Sequence, residues 1–368
     1  MRRRYKILTG VMLLGVVALG SLGWTLSHDA PCGIVPPLPD GAAAMRASMA
    51  RCYGPPDVVR LESVAKPVPA DDQILIRVHA AAVNPLDWHY LRGKPYFMRL
   101  MSGYGLPNNA RMGVDVAGSV EAVGKKVARF KVGDAVFGGA DGSFAEYVTA
   151  RESGSLAPKP DNVTFEQAAA VPIAAVTALQ ALRDKGRIQS GQNVLINGAS
   201  GGVGTFAVQI AKIYGARVTG VCSTRNLALV ADLGAERVVD YTKQDFTQGP
   251  ERYDLIIDTV GNHSLTELRH VLEPHGTLVM VGGPSDDPWL GPLWGSVRAW
   301  FVAPFVSPRL MFLLAEMKAA DLEQLREWVQ AGTLRPVIDR QYALSEVPQA
   351  IRYLEAGHAR GKVVIHVE

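Results

Sequence analysis

The sequence predicts an α/β protein in which a compact β-barrel-like domain precedes a doubly wound parallel sheet, with one transmembrane helix before both. Three observations predict it. Short β-branched runs separated by turn signals fill residues 45 to about 165. Strands then alternate with helical stretches, and a glycine-rich loop stands at one of the first strand-to-helix passages. Near the N-terminus lies a run of twenty residues without a charge, Ile7 to Leu26. The 368 residues are 48% hydrophobic and 20% charged, which suits two full cores and argues against a disordered or fibrous chain. A net charge of +3, to which Arg2, Arg3 and Arg4 contribute, asks for no nucleic acid as partner. Cys32, Cys52 and Cys222 are too few and too scattered for a disulfide framework or a four-cysteine zinc lobe, and they leave the redox compartment open.

At about 1.5 Å per residue the run from Ile7 to Leu26 matches the hydrocarbon core of a bilayer. It exceeds the roughly 7 to 15 apolar residues of a signal peptide, and no small-x-small site follows it clearly. Residues 1–28 are therefore expected to be an uncleaved single-pass membrane anchor, with a signal sequence as the alternative. Arg2, Arg3, Arg4 and Lys6 set the N-terminus on the cytoplasmic side and carry the body across, which conflicts with a cytosolic cofactor and leaves the side undecided. Residues 29–44, "DAPCGIVPPLPDGAAA", read as a linker.

The body reads as 45–165, rich in strands such as "QILIRVHAAAV" (73 to 83) and "GVDVAGSVEAVG" (113 to 124), followed by 166–315. In the second part "NVLIN" is short enough for a buried strand, and "TFAVQIAKIYG" has helical apolar spacing ending at Gly215. The loop between them holds Gly198, Ser200, Gly201, Gly202, Val203 and Gly204. Such a loop turns tightly and aims amide N–H groups at a pyrophosphate. Ala199 replaces the first glycine of the strict G-x-G-x-x-G spacing. At the end of the next strand, where an NAD site places Asp or Glu, stand Ser223, Thr224 and Arg225. Two hydroxyls and a guanidinium suit a 2′-phosphate, so the cofactor expected is NADPH. Tyr241 is placed to stack on the adenine or the Arg225 plane. Val260 and Gly282 close "YDLIIDTVG" and "GTLVMVGGP", where the chain passes beneath the nicotinamide ribose. The stretch 287 to 317 is rich in Trp, Phe and Leu but broken by four prolines, Arg298 and Arg309. It reads as helices over the cofactor domain or at a dimer interface, or as an apolar lid or bilayer-facing surface.

The runs "YGPPDVVRLE", "AAVNPLDWHYLRG", "VGDAVFG", "GASGGVG", "LGAERVVDY" and "GKVVIHVE" carry a resemblance. From about Met45 to Glu368 the chain resembles the medium-chain dehydrogenase/reductase superfamily, in its zinc-independent quinone oxidoreductase-like branch. The resemblance implies a GroES-like catalytic domain, a Rossmann NADP-binding domain, a return to the first domain over 316–368, an active site between the domains and a homodimer. Zinc-binding relatives have Cys at the place of Asn84, His-Glu at Val114 and Asp115, and Cys near Ile173, and Leu86 replaces a proton-relaying hydroxyl residue. No metal is expected. What remains is hydride transfer to a quinone or an α,β-unsaturated carbonyl, whose anionic product a few hydrogen-bond donors can hold. Asn84 is expected to line the substrate side, with His89 or Tyr90 as proton donor and Asp87 fixing the loop. Thr177 and Lys362 are expected at the cofactor. The alternatives are a 2-enoyl thioester reductase and a nucleotide-binding protein without turnover.

Overall fold

The computed structural model describes residues 18, 20–283, 287–291, 295, 299 and 307–367. Strands β1 (Ala44–Ala50) and β2 (Val59–Ala65) pair as an antiparallel hairpin. The alternating run predicted at 73 to 83 is β3 (Gln73–Val83), followed by β4 (Asp115–Val123), β5 (Ala135–Gly139), β6 (Tyr147–Arg151) and β7 (Leu156–Pro158). The cofactor half contributes β8 (Asn193–Asn197), β9 (Arg217–Cys222), β10 (Arg237–Asp240), β11 (Tyr253–Asp258), β12 (Leu272–Met280) and β13 (Arg309–Phe312). These six run parallel in the order β10-β9-β8-β11-β12-β13, the order of a dinucleotide-binding sheet with its switch point beside β8. The last two strands, β14 (Ile338–Ala343) and β15 (Lys362–His366), return to the first sheet, whose order is β14-β15-β3-β4-β5-β7 with β6 also on β3.

The two halves are not independently packed. One apolar core takes Ala82 and Phe137 from the first sheet, Leu179 from the helix Pro172–Gln180, and Val194 and Phe206 from the second half. A second core fills the first sheet with Ile74, Ile76, Val116 and Ile365. This shared core joins the two halves by close packing.

Residues 85 to 92, read from sequence as a turn, form a helix, Pro85–Arg92. Asn84 caps it in a capping box with Asp87, Pro85 takes the first position, and Gly93 ends it in the left-handed region at φ 57°.

The membrane assignment is corrected. Among the described residues no helix is long and apolar enough to cross a membrane, and most of the run from 7 to 26 lies outside them. The expected transmembrane helix, membrane partner and single-pass location are therefore withdrawn. Residues 20–27 are helical, and the stretch read as a linker is tied to the body by a disulfide between Cys32 and Cys52, a pairing the scattered spacing of the cysteines gave no reason to expect. Of the aromatic-rich stretch 287 to 317, residues 292–294, 296–298 and 300–306 lie outside the described residues.

Candidate active site

The glycine-rich loop is built by backbone proximity. Gly198 follows β8 at φ +85°, and a Cβ there would lie 2.3 Å from Thr259 Oγ1. Gly201 caps the helix Gly202–Ile213, with Val203 in its first turn. A Cβ on Gly204 would lie 2.0 Å from the Gly198 carbonyl oxygen, so this helix descends onto its own loop only where residue 204 lacks a side chain. The free amides at that helix start lie at the positive end of the helix dipole. The Ser200 carbonyl accepts from Gly361 N–H at 2.9 Å, which joins the loop to the residue before β15.

The other predicted cofactor residues lie at or just beyond the carboxyl ends of β9 to β12. Ser223 follows β9, Thr224 Oγ1 donates to Asp240 at 2.5 Å, and Arg225 Nη2 donates to the His358 carbonyl at 2.5 Å. The Thr224 hydroxyl, with help from Thr242, holds the Asp240 carboxyl down to about 2. Tyr241 follows β10 and is largely exposed. Val260 N–H donates to Asp258, and a Cβ on Gly282 would press within 2.4 Å of the Thr259 carbonyl oxygen. Asn226 was missed from sequence. Its buried amide donates to both Ser200 Oγ and Ser223 Oγ, and its Oδ1 has no partner among the described residues.

Strand register brings a second group of predicted residues together. β15 runs antiparallel to β3 with Val363 opposite Val83, which brings Lys362 beside Asn84, and β4 places Asp115 opposite Ala82. Lys362 Nζ donates to Asn84 Oδ1 at 2.6 Å and to Asp115 Oδ2 at 3.2 Å. Asn84 Nδ2 donates to Asp115 Oδ2 at 2.9 Å and to the Ala82 carbonyl at 3.2 Å. Asp115 Oδ1 accepts the N–H of Ile173 at 3.0 Å. All three side chains are essentially buried, at 3% exposure for Lys362, 2% for Asn84 and 0% for Asp115. The lysine stem runs past the glycine loop, within 3.3 Å of where a Cβ on Gly202 would sit. One ammonium thus stands between the glycine loop and the Asn84 side chain.

Asp87 lies behind this cluster, accepting the Asn84 N–H at 2.7 Å. Burial pushes its carboxyl up to about 7, against the lowering pull of that N–H. The folded chain keeps this proton where the unfolded chain has lost it, so between about pH 4 and pH 7 stability falls as pH rises. Asp87→Asn is expected to remove that decline, which would amount to a few kcal/mol at most. Urea midpoints across this range check it; parallel curves for the two proteins would refute the assignment.

His89 and Tyr90 sit in the last turn of the same helix. His89 Nδ1 lies 2.9 Å from the Lys94 carbonyl, its ring stacks on Trp88 at 3.7 Å, and burial lowers its pKa. Tyr90 is 43% exposed. Neither contact of His89 is with the Asn84 cluster. Thr177 is buried on the helix Pro172–Gln180 and donates to the Ile173 carbonyl at 2.6 Å. Among the described residues no group of three or more His, Cys, Asp or Glu side chains is placed to hold a metal ion.

Two family profiles match the chain. The alcohol dehydrogenase GroES-like domain covers residues 70–161, and a profile described as zinc-binding dehydrogenase covers 233–365. A 2-methylene-furan-3-one reductase of Solanum lycopersicum is 35% identical over 85% of this chain and 77% of its own length. An NADPH-dependent alkenal/one oxidoreductase of Arabidopsis thaliana, chloroplastic, is 34% identical over 88% of this chain and 79% of its own. The solved quinone oxidoreductase of Coxiella burnetii superposes with a TM-score of 0.77 at 32% identity, covering 89% of this chain and all of that one. Fold, loop and relatives define a nicotinamide-dependent oxidoreductase of GroES-like and Rossmann-like domains. The chain belongs to the medium-chain dehydrogenase/reductase superfamily, in its quinone oxidoreductase-like branch.

Proposed function

We propose that this chain transfers hydride from NADPH to a quinone or an α,β-unsaturated carbonyl, without zinc, in the crevice between the glycine loop and the Asn84 cluster. The observation that carries the reading is the buried Lys362 ammonium, 2.6 Å from Asn84 Oδ1 and alongside the phosphate loop. A cation bound to the Asp115 carboxylate occupies the region where zinc-binding relatives place metal ligands, so positive charge is supplied there by the chain itself. The names of the relatives support the same acceptors. Bound NADPH supplies the hydride.

Within this reading the backbone amides of Ser200, Gly202, Val203 and Gly204 hold the pyrophosphate, Gly201 shapes the loop by donating its N–H to the Gly198 carbonyl at 3.0 Å, and Ser223, Thr224 and Arg225 hold the 2′-phosphate. Val260, Gly282, Thr177 and Lys362 frame the nicotinamide end, and Tyr241 the adenine end. Both amide hydrogens of Asn84 are engaged, so Asn84 acts as a fixed wall that orients the acceptor and keeps Lys362 in place. His89, its pKa lowered by burial, is a poor acid at neutral pH, which leaves Tyr90 and solvent to protonate the product anion. The homodimer belongs to the same proposal, and sedimentation should return twice the 39.6 kDa chain mass.

The test records oxidation of NADPH and NADH with 1,4-benzoquinone and with an enone, in the presence of a chelator. Turnover that survives the chelator and prefers NADPH is expected. Arg225→Glu should lower kcat/KM for NADPH by about ten- to a hundredfold while sparing NADH, the scale of one charge-assisted hydrogen bond. NADPH binding without turnover on any acceptor, or activity abolished by the chelator, would sink the reading.

A further inference from the structure

Arg99 is the largest fully buried side chain that carries a charge, at 0% exposure. Its guanidinium lies 4.3 Å from the Tyr53 ring centre and 4.9 Å from that of Tyr96. It donates to the Gly93 carbonyl at 2.8 Å, the His28 carbonyl at 3.1 Å and the Asp29 carboxylate at 2.6 Å. Two of these three acceptors come from the segment that precedes the first strand. Without that segment a buried guanidinium would keep one carbonyl and two rings, which is a costly arrangement for a desolvated charge. The body therefore contains a socket made for residues 28 and 29.

The disulfide fastens the same segment a second time, because Cys32 is exposed while Cys52 is buried in the body. Backbone bonds run from Ala30 N–H to the Gly105 carbonyl at 3.1 Å and from Gly33 N–H to the Arg51 carbonyl at 3.3 Å. The fastened segment also meets the chain that follows β12. Tyr96, which stacks under Arg99, donates its N–H to the Pro288 carbonyl at 2.7 Å and meets the Trp289 ring edge-on at 5.1 Å. A Cβ on Gly23 would sit 3.4 Å from that same Trp289 ring. The chain leaves β12 at its carboxyl end, on the β11–β12 side of the sheet and away from the Ser223–Arg225 end, seven residues before Asp287.

We propose that residues 20–33 are a clasped outer wall of the acceptor entrance, which selects acceptors by size and whose hold depends on the Cys32–Cys52 bond. The acceptor part rests on the hydride-transfer reading above. The chemistry of release is thiol–disulfide exchange with a dithiol. Its thiolate attacks the exposed Cys32 sulfur, the S–S bond breaks and Cys52 leaves as a thiolate that takes a proton. The second thiol then closes the reagent into its own disulfide and frees Cys32 as a thiol, two electrons having passed to the protein.

The test uses the full chain, oxidised or reduced with dithiothreitol that is then removed under anaerobic conditions, beside the Cys32→Ser/Cys52→Ser variant. Release should speed hydrogen exchange at the amides of Ala30 and Gly33 by about tenfold or more. It should also raise kcat/KM for 9,10-phenanthrenequinone relative to 1,4-benzoquinone by about tenfold. Unchanged exchange overturns the clasp, and faster exchange with an unchanged ratio overturns its role in selection. If the variant does not fold, the dithiothreitol-treated chain carries both readouts. If no form turns over any acceptor, the hydride-transfer reading and the selection fail together, and the exchange result still decides the clasp.

Discussion

Lys362→Met is expected to destabilise the chain by about 3–5 kcal/mol, the cost of leaving one member of a buried ion pair without its partner. The stranded group is the Asp115 carboxylate, which is fully buried and keeps only the Asn84 amide and the Ile173 N–H. The double variant Lys362→Met/Asp115→Asn should recover most of that loss, since it removes both charges from the interior. Urea midpoints of the four proteins in the cycle measure the coupling. The two variants separate fold from function, because the double variant regains stability but not the positive charge beside the phosphate loop. Its dissociation constant for NADPH should stay raised, whereas a double variant that binds NADPH normally would remove Lys362 from the cofactor site. A single variant that loses under 1 kcal/mol would show that the pair is not what joins β15 to β3 and β4.

Gly204→Ala should come next in size. The added methyl would sit 2.0 Å from the Gly198 oxygen and 2.8 Å from the Ala199 Cα, both backbone atoms, so no side chain can turn aside. The helix start must lift off the loop, at about 1–3 kcal/mol or more for overpacking. That movement turns the helix-start amides away from a bound pyrophosphate, so NADPH affinity should fall further than stability alone accounts for. Gly201→Ala is the control. Its Cβ would meet nothing closer than the Gly198 oxygen at 3.4 Å, and its φ of −81° suits any residue. Titration calorimetry with NADPH on both variants checks the contrast; equal losses would mean that the loop tolerates or rejects any side chain alike.

Much of the cofactor half was legible because its signals are local. The alternation of apolar strands and helices fixes a parallel sheet, and the loop from Gly198 to Gly204 announces itself within a few residues. The helix Pro85–Arg92 carries a readable signature, Asn84 with Asp87 three positions on and Pro85 between. Asn84, Asp115 and Lys362 were each noticed singly. Their convergence depends on the pairing of β15 with β3, a contact between distant parts of the chain that no local period reveals. Asp240 and Asn226 went unremarked because their roles come from neighbours across the sheet. The N-terminal run was read by hydropathy alone, and hydropathy does not distinguish a span from a segment whose continuation packs on the body through Leu26, Asp29 and Cys32.

The return of β15 also sets an order of assembly. The first sheet has β3 at its centre early in the chain, yet the neighbour that completes one flank of β3 comes from residues 362–366. During synthesis the six parallel strands from β8 to β13 are all made before that neighbour exists, so the cofactor half can close first. The first half waits, with β6 covering Gln73–Arg77 but Ala80–Val83 of β3 left as an unpaired edge until residues 362–366 emerge. Lys362 arrives with that strand, so its cluster with Asn84 and Asp115 closes only after the whole cofactor half has been made.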